Sequence, residues 1–285
     1  MKENLFNDKA LSERFPETFF AGNGKWSLAL SPYGGQILKA RHCSSPHDVI
    51  FLGQKAVSGN GQAIRGGIPV CWPWFGASPV EGRPIQGFAR TAQWQVKICR
   101  EDLIRMELAP EAVPRELSDF PFELFTEIRL SDELEVTLGM KNCGTAPAEI
   151  SCALHTYFAV SDCGKVQIEG VENAPFTVKG GPEQTPGKAP LQIEGELCRL
   201  YCPQSAPVTV TDQAWGRKIL ISKENSSSTL VWNPGPERCA QIADLEDDEF
   251  RKFVCIECNR AGKDLLILSP GTVHTIVQKI KVLPF

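Results

Sequence analysis

Two side chains in this sequence have surroundings suited to proton transfer. Glu257 is the one carboxylate in the apolar run Phe253-Val254-Cys255-Ile256-Glu257-Cys258. A buried, unpaired carboxylate is costly, so this group must be paired, hydrogen-bonded or turned toward a pocket. Partial burial would raise its pKa and strengthen it as a base. A salt bridge to Arg260 is the competing structural account. His155 follows an alternating run, Ile150, Cys152 and Leu154, and so falls with Glu149, Ser151 and Tyr157 on the more polar face. A histidine there is either a satisfied structural group or a proton carrier.

Arg65 and Arg90 bracket the most unusual stretch of the chain. It reads Arg65-Gly66-Gly67-Ile68-Pro69-Val70-Cys71-Trp72-Pro73-Trp74-Phe75-Gly76, followed by Pro84-Ile85-Gln86-Gly87-Phe88-Ala89-Arg90. So much Gly, Pro and Trp excludes a regular helix or a central strand. It suits a rigid loop whose backbone approaches something closely. Guanidinium forks at its two ends suit a phosphate or carboxylate, or else serve as structural ion-pair partners. Trp72, Trp74, Phe75 and Phe88 could wall a pocket or fill the core.

The elements that must position these groups are strands. Period-two alternation runs through Trp26, Leu28, Leu30, through Trp94, Val96, Ile98, through Phe122 to Leu130 and through Leu134 to Met140. It resumes at Ile150, Val166, Ile219 and Ile276, with turn residues such as Ser131-Asp132 between the runs. Helical signal is confined to residues 9–15 and 244–252. The Gly- and Pro-rich residues 170–192 read as a loop over one rim. The pattern predicts an all-β fold, a large antiparallel β-sandwich in a single domain spanning 1–285, with 1–19 as an N-terminal extension. The acidic run Asp244 to Glu249 reads as a solvated surface turn.

Composition narrows the function classes. A formal charge of −4 and a pI near 5.7 argue against a nucleic-acid or anionic-membrane surface. No apolar run is long enough to span a bilayer, and the charged start MKENLFNDKALSERF lacks the apolar core of a signal peptide. The expectation is a cytoplasmic monomer with no nucleic-acid or membrane partner. Eleven cysteines, an odd number without framework spacing, read as reduced and mostly buried thiols. Cys255 and Cys258 would point to opposite faces of a strand, which makes their CxxC spacing a poor metal site. His42, His47 and His274 are too scattered to hold a metal. No metal and no cofactor is expected.

The run IRGGIPVCWPWFG followed by GFAR resembles the signature of the hexose-6-phosphate mutarotases, a branch of the aldose 1-epimerase (galactose mutarotase-like) family. LHTYF at 154–158, WNPGP at 232–236 and FVCIE at 253–257 agree in order and spacing, and the resemblance covers residues 20–282. It implies a galactose mutarotase-like supersandwich with its site on one concave sheet face. It further implies a cofactor-independent isomerase that interconverts the anomers of a hexose 6-phosphate such as glucose 6-phosphate. His155 would be the general acid and Glu257 the general base. Arg65 and Arg90 would hold the 6-phosphate, with Gln86, Trp72, Phe88 and Cys198 around the sugar. WNPGP would line the site without doing chemistry. Two positions depart from the family. Gln86 stands where a histidine is usual, and it can donate a hydrogen bond but cannot carry a proton. Cys198 stands where an aspartate usually contacts sugar hydroxyls. These departures keep two alternatives open, a non-catalytic sugar-phosphate sensor and a mutarotase of neutral aldoses.

Overall fold

The computed structural model describes residues 9–185 and 187–285, so the first eight residues of the expected extension lie outside the described residues. The alternating runs form strands, and every strand pair in the ladders is antiparallel. One sheet is ordered Phe176–Val178, Leu197–Tyr201, Ser228–Asn233, Phe253–Arg260, Cys152–Leu154, Val70–Cys71, and Tyr157–Ala159 also pairs with Phe253–Arg260. A second has eight strands, ordered Gln167–Glu169, Val208–Asp212, Arg217–Glu224, Val273–Pro284, Leu134–Asn142, Phe122–Leu130, Leu103–Leu108, Gln95–Cys99. Phe19–Gly22, Trp26–Ser31 and Gln36–His42 make a smaller third sheet.

The two large sheets share one core. Val254, Ile256 and Cys258 of the first sheet are packed in the same cluster as Leu138, Ile219 and Ile276 of the second. The intervening Phe253 and Cys255 point the other way, into a separate cluster with Phe51, Tyr157 and Leu245. This period-two split lets a fully buried strand carry a polar residue toward the sheet's outer face without placing it in the core. Cys255 and Cys258 do face opposite ways, and all eleven cysteines are free thiols, six of them buried.

Helical structure differs from expectation in its placement. The first helix forms at Lys9–Arg14, and Leu11 with Phe15 seals a cluster against Ala29, Leu38 and Ile64. Residues 244–252 do not form a helix: only Glu249–Lys252 closes, as a 3₁₀ turn. A second short helix, Gly235–Cys239, starts at the end of the WNPGP segment, with proline in its first turn, where the missing N–H costs nothing. The rim segment 170–192 contributes the edge strand Phe176–Val178. Among the described residues no helix is long and apolar enough to cross a membrane.

The loop between Arg65 and Arg90 is held by backbone contacts that only glycine permits. Gly67 has φ +74°, and a Cβ there would lie 2.3 Å from the Ile37 carbonyl oxygen. At Gly87, φ is +73° and a Cβ would lie 2.0 Å from the Trp72 carbonyl oxygen. That contact lets Phe88 donate its N–H to Trp72 and folds the second half of the loop back along Val70–Cys71. Gly76, at φ +85°, has open space around its Cβ position. Gly76→Ala is therefore expected to cost about 1–2 kcal/mol of left-handed strain alone. Gly87→Ala should cost clearly more, because backbone must move as well. Thermal melts of the two variants check the order.

Candidate active site

Strand register builds the site. Leu154 pairs with Cys258 and Tyr157 with Cys255, which sets His155 directly across from Glu257. Leu230 pairs with Glu257 from the other side, and Leu200 pairs with Leu230. Leu200, Leu230, Glu257 and His155 thus form one row across the sheet, with side chains on the same face. A second row, Cys198, Trp232, Cys255 and Tyr157, lies beside it. The backbone N–H of His155 donates to Pro69 O at 2.9 Å. Thr156 points to the opposite face, where its hydroxyl meets Gln278, whose amide donates to Ile256 O. These bonds fix the short interruption between two strands that carries the histidine.

His155 Nε2 lies 3.1 Å from Glu257 Oε1. The two groups lack the alignment of a hydrogen bond, and both carboxyl oxygens and His155 Nδ1 have no hydrogen-bond partner in the chain. Glu257 is 0% exposed. Buried polar atoms are nearly always satisfied, so a cluster of unsatisfied ones marks a site that must meet something outside the chain. The His155 ring stacks on Tyr157 with centroids 5.0 Å apart, and Trp232 meets it edge-on at 6.0 Å.

The arginines divide their work. Arg65 donates from Nε to Asp244 at 3.1 Å and from Nη1 to the Tyr157 hydroxyl at 3.2 Å. Arg90 donates only to the Ile85 carbonyl, at 3.0 Å, and its Nε is buried without a partner. No carboxylate among the described residues forms an ion pair with it. Burial, Arg90 and Arg65, in that order, push the His155 pKa down to about 3. Burial lifts Glu257 well above the carboxylate range, with Arg90 partly opposing. The 3.1 Å contact favours imidazolium beside carboxylate, but desolvation of both groups outweighs it. Both shifts run toward the uncharged forms, neutral imidazole and carboxylic acid. The pair can give up one proton and accept another without changing its net charge.

The other residues expected at the site are distributed unevenly. Trp72 and Phe88 are corrected to core. They are 0% and 2% exposed and pack edge-to-face at 5.4 Å, with Phe122 4.7 Å from Trp72. The reason is alternation: Cys71 belongs to the sheet's outer face, so Trp72 turns into the sandwich. The half-exposed aromatic at the pair is Trp232. Gln86 spends its side-chain oxygen on the Gly76 N–H at 2.8 Å and so ties the two ends of its own loop. Cys198 does reach the site face. Glu257 is not bridged to Arg260, whose guanidinium pairs with Asp264. The acidic run is not a freely solvated turn either. Asp244 anchors Arg65, and the 0%-exposed Glu249 accepts from the N–H groups of Gln54 and Glu246. Asn259 was missed from sequence. It lies two residues beyond Glu257 on the same face, fully buried, with neither amide atom satisfied. The signal for it was the same alternation that singled out Glu257.

Beyond Leu230 the row opens into a cleft of about 430 Å³ whose lining includes Phe75, Phe176, Cys198, Leu200 and Leu230. A hollow of about 600 Å³ lies elsewhere, under residues 110–122, and its lining includes none of His155, Glu257, Arg65 and Arg90. The cleft adjoins the titratable pair through Leu230, which is paired with Glu257.

Comparisons with known proteins agree with this arrangement. The family model described as aldose 1-epimerase matches residues 19–281. A protein of Escherichia coli K12 provisionally named glucose-6-phosphate 1-epimerase is 31% identical over 241 residues, which cover 82% of this chain and 80% of that protein. A protein of Cenchrus ciliaris with the same provisional name is 28% identical, over 84% of this chain and 76% of its own. The crystal structure of a provisionally named mutarotase from Salmonella typhimurium superposes with a TM-score of 0.85 at 23% identity, covering 94% of this chain and 90% of that one. The chain belongs to the aldose 1-epimerase family.

Proposed function

We propose that this protein interconverts the α and β anomers of a hexose 6-phosphate, with glucose 6-phosphate as the reference substrate, and that His155 and Glu257 carry the protons. The observation that carries the reading is a register-opposed imidazole–carboxyl pair beside a guanidinium, Arg90, that has no carboxylate of its own. The names of the relatives support the phosphorylated substrate. Family membership supports anomer interconversion.

The chemistry follows from the pair. One member takes the proton from the anomeric hydroxyl while the other protonates the ring oxygen. The bond between C1 and the ring oxygen breaks, and the anomeric oxygen becomes the aldehyde carbonyl. Rotation about C1–C2 presents the other face, and closure returns both protons by the reverse path. For His155 to act as the acid it must hold a proton, which Arg65 and Arg90 resist. A phosphate dianion between the arginines removes that resistance. Neutralising their charge favours an imidazolium at His155, the form it needs to act as the acid. In this reading the phosphate is both anchor and switch.

Saturation-transfer NMR on glucose 6-phosphate and glucose tests the proposal directly. Exchange above the uncatalysed rate for the ester alone is expected. Equal acceleration of both sugars would favour a neutral-aldose mutarotase, and binding without exchange a sensor. Arg90→Ala should raise KM for the ester about 10- to 100-fold, the worth of a hydrogen bond to a charged group.

Glu257→Gln separates function from stability. Anomerisation should fall at least about 10²-fold with loss of the general base. Stability should move the other way with pH. The folded pKa of Glu257 lies above its ordinary 4.5, so its proton-linked stability is fully present below pH 4.5 and is lost as pH rises through the folded value. The variant's melting temperature should match wild type most closely near pH 4.5 and overtake it progressively toward pH 8. A gain of about 2–4 °C is expected for each kcal/mol released. A stability difference that does not change with pH would show that Glu257 is not held protonated by burial.

A further inference from the structure

The order of groups across the sheet carries information about the substrate beyond its phosphate. In a pyranose 6-phosphate the atoms run from the phosphate through C6 and C5 to the ring oxygen, then C1, then C2. With the reading above as premise, the ring oxygen meets His155 and the anomeric hydroxyl meets Glu257. Continuing along the row from His155 through Glu257 brings C2 and its substituent toward Leu230 and then Leu200. Neighbouring strands lie about 4.8 Å apart, within reach of a short substituent but beyond that of a bare hydroxyl.

That side of the site is poorly suited to a hydroxyl. Leu230, Leu200, Cys198, Phe75 and Phe176 wall a cleft of about 430 Å³, a volume typical of ligand pockets, and Leu230 sets its edge beside Glu257. The charged groups at its rim are already paired, Lys263 with Glu183 at 2.6 Å and Lys179 with Glu196 at 2.8 Å. They offer no free site for a second anion. Beside the pair a further buried polar group is left unsatisfied. Asn259, one step along the same face from Glu257, is fully buried with its amide donor and acceptor both unused. A ligand that satisfies both features has an amide next to C1 and an apolar tail beyond it.

We propose that the preferred substrate is a 2-acylamido hexose 6-phosphate, its acyl group lodged in the cleft between Leu230 and Phe176 and its amide facing Asn259. An apolar group gaining a fitted pocket is worth roughly 10- to 200-fold in discrimination.

The test is anomer exchange by saturation-transfer NMR on three esters: 2-acetamido-2-deoxyglucose 6-phosphate, glucosamine 6-phosphate and glucose 6-phosphate. The expected result is a kcat/KM at least about tenfold higher for the acetamido ester than for either of the others. Leu200→Trp, on the wall of the cleft, should bring the kcat/KM ratio of the acetamido ester to glucose 6-phosphate down to about one. Acceleration of glucose 6-phosphate with an equal or lower rate for the acetamido ester would overturn this inference and leave the anomerase reading standing. An unchanged preference in Leu200→Trp would also overturn the placement in the cleft. No acceleration of any ester by folded protein would overturn both.

Discussion

A carboxyl group that is entirely buried and has no hydrogen-bond partner is the constraint around which this structure is arranged. Glu257 lies in the middle of the strand Phe253–Arg260, which pairs with three others. Hydrophobic burial of the alternate residues Val254, Ile256 and Cys258 holds the strand in place, and it is large enough to keep a costly group where isolated chemistry would expel it. The group is kept out of water and out of the core together. Its neighbours on the outer face are a histidine, two aromatics and two arginines rather than a balancing lysine. Such an arrangement makes little sense as a device for stability, since a buried carboxyl without partners lowers it. It makes sense where a carboxyl of raised pKa must exchange protons.

The two arginines differ in how they are held, and the difference has an electrostatic consequence. Arg65 is locked between Asp244 and Tyr157, so its position is set before any ligand arrives. Arg90 is tethered to one backbone carbonyl and keeps its charge uncompensated. The glycines at 67 and 87 bring both within range by close backbone packing, not by long flexible reach. A prearranged donor beside an uncompensated one suits an anion that is bound and released repeatedly. Two fully paired guanidinium groups would have to break existing ion pairs to do the same work.

Much of this was legible in the sequence, and the remainder was hidden for identifiable reasons. Alternation gave the sandwich, placed His155 on the polar face and separated Cys255 from Cys258, because period two is a local property. It also carried Asn259, which stands out once Glu257 is recognised as facing outward. What local pattern cannot give is which strands meet. The pairing of Leu230 with Glu257, and hence the apolar wall, depends on contacts between distant segments. The same holds for Asp244, which looked like one more acid in a solvated run until the fold brought it 3.1 Å from Arg65. Trp72 and Phe88 were placed at the sugar on the strength of the family resemblance, their residue types leaving pocket or core open, whereas both turn into the core beside a two-residue strand. Residues 244–252 failed as a helix because Asp244 and Glu249 spend their carboxylates on Arg65 and on backbone N–H groups, which fixes the segment as turns.

The proton inventory of the pair ties these parts together. Burial favours the uncharged forms of both groups, and the arginines further oppose a third positive charge on the imidazole. In those forms the histidine is a poor acid and the carboxyl a poor base. A ligand that carries negative charge to the arginines lowers the cost of an imidazolium, which both arginines oppose. A neutral sugar occupying the same surface brings no such change. On the proposed reading, discrimination against neutral sugars therefore does not rest on binding alone. It is also built into the chemical step, where the substrate's own charge completes the acid and the base that act on it.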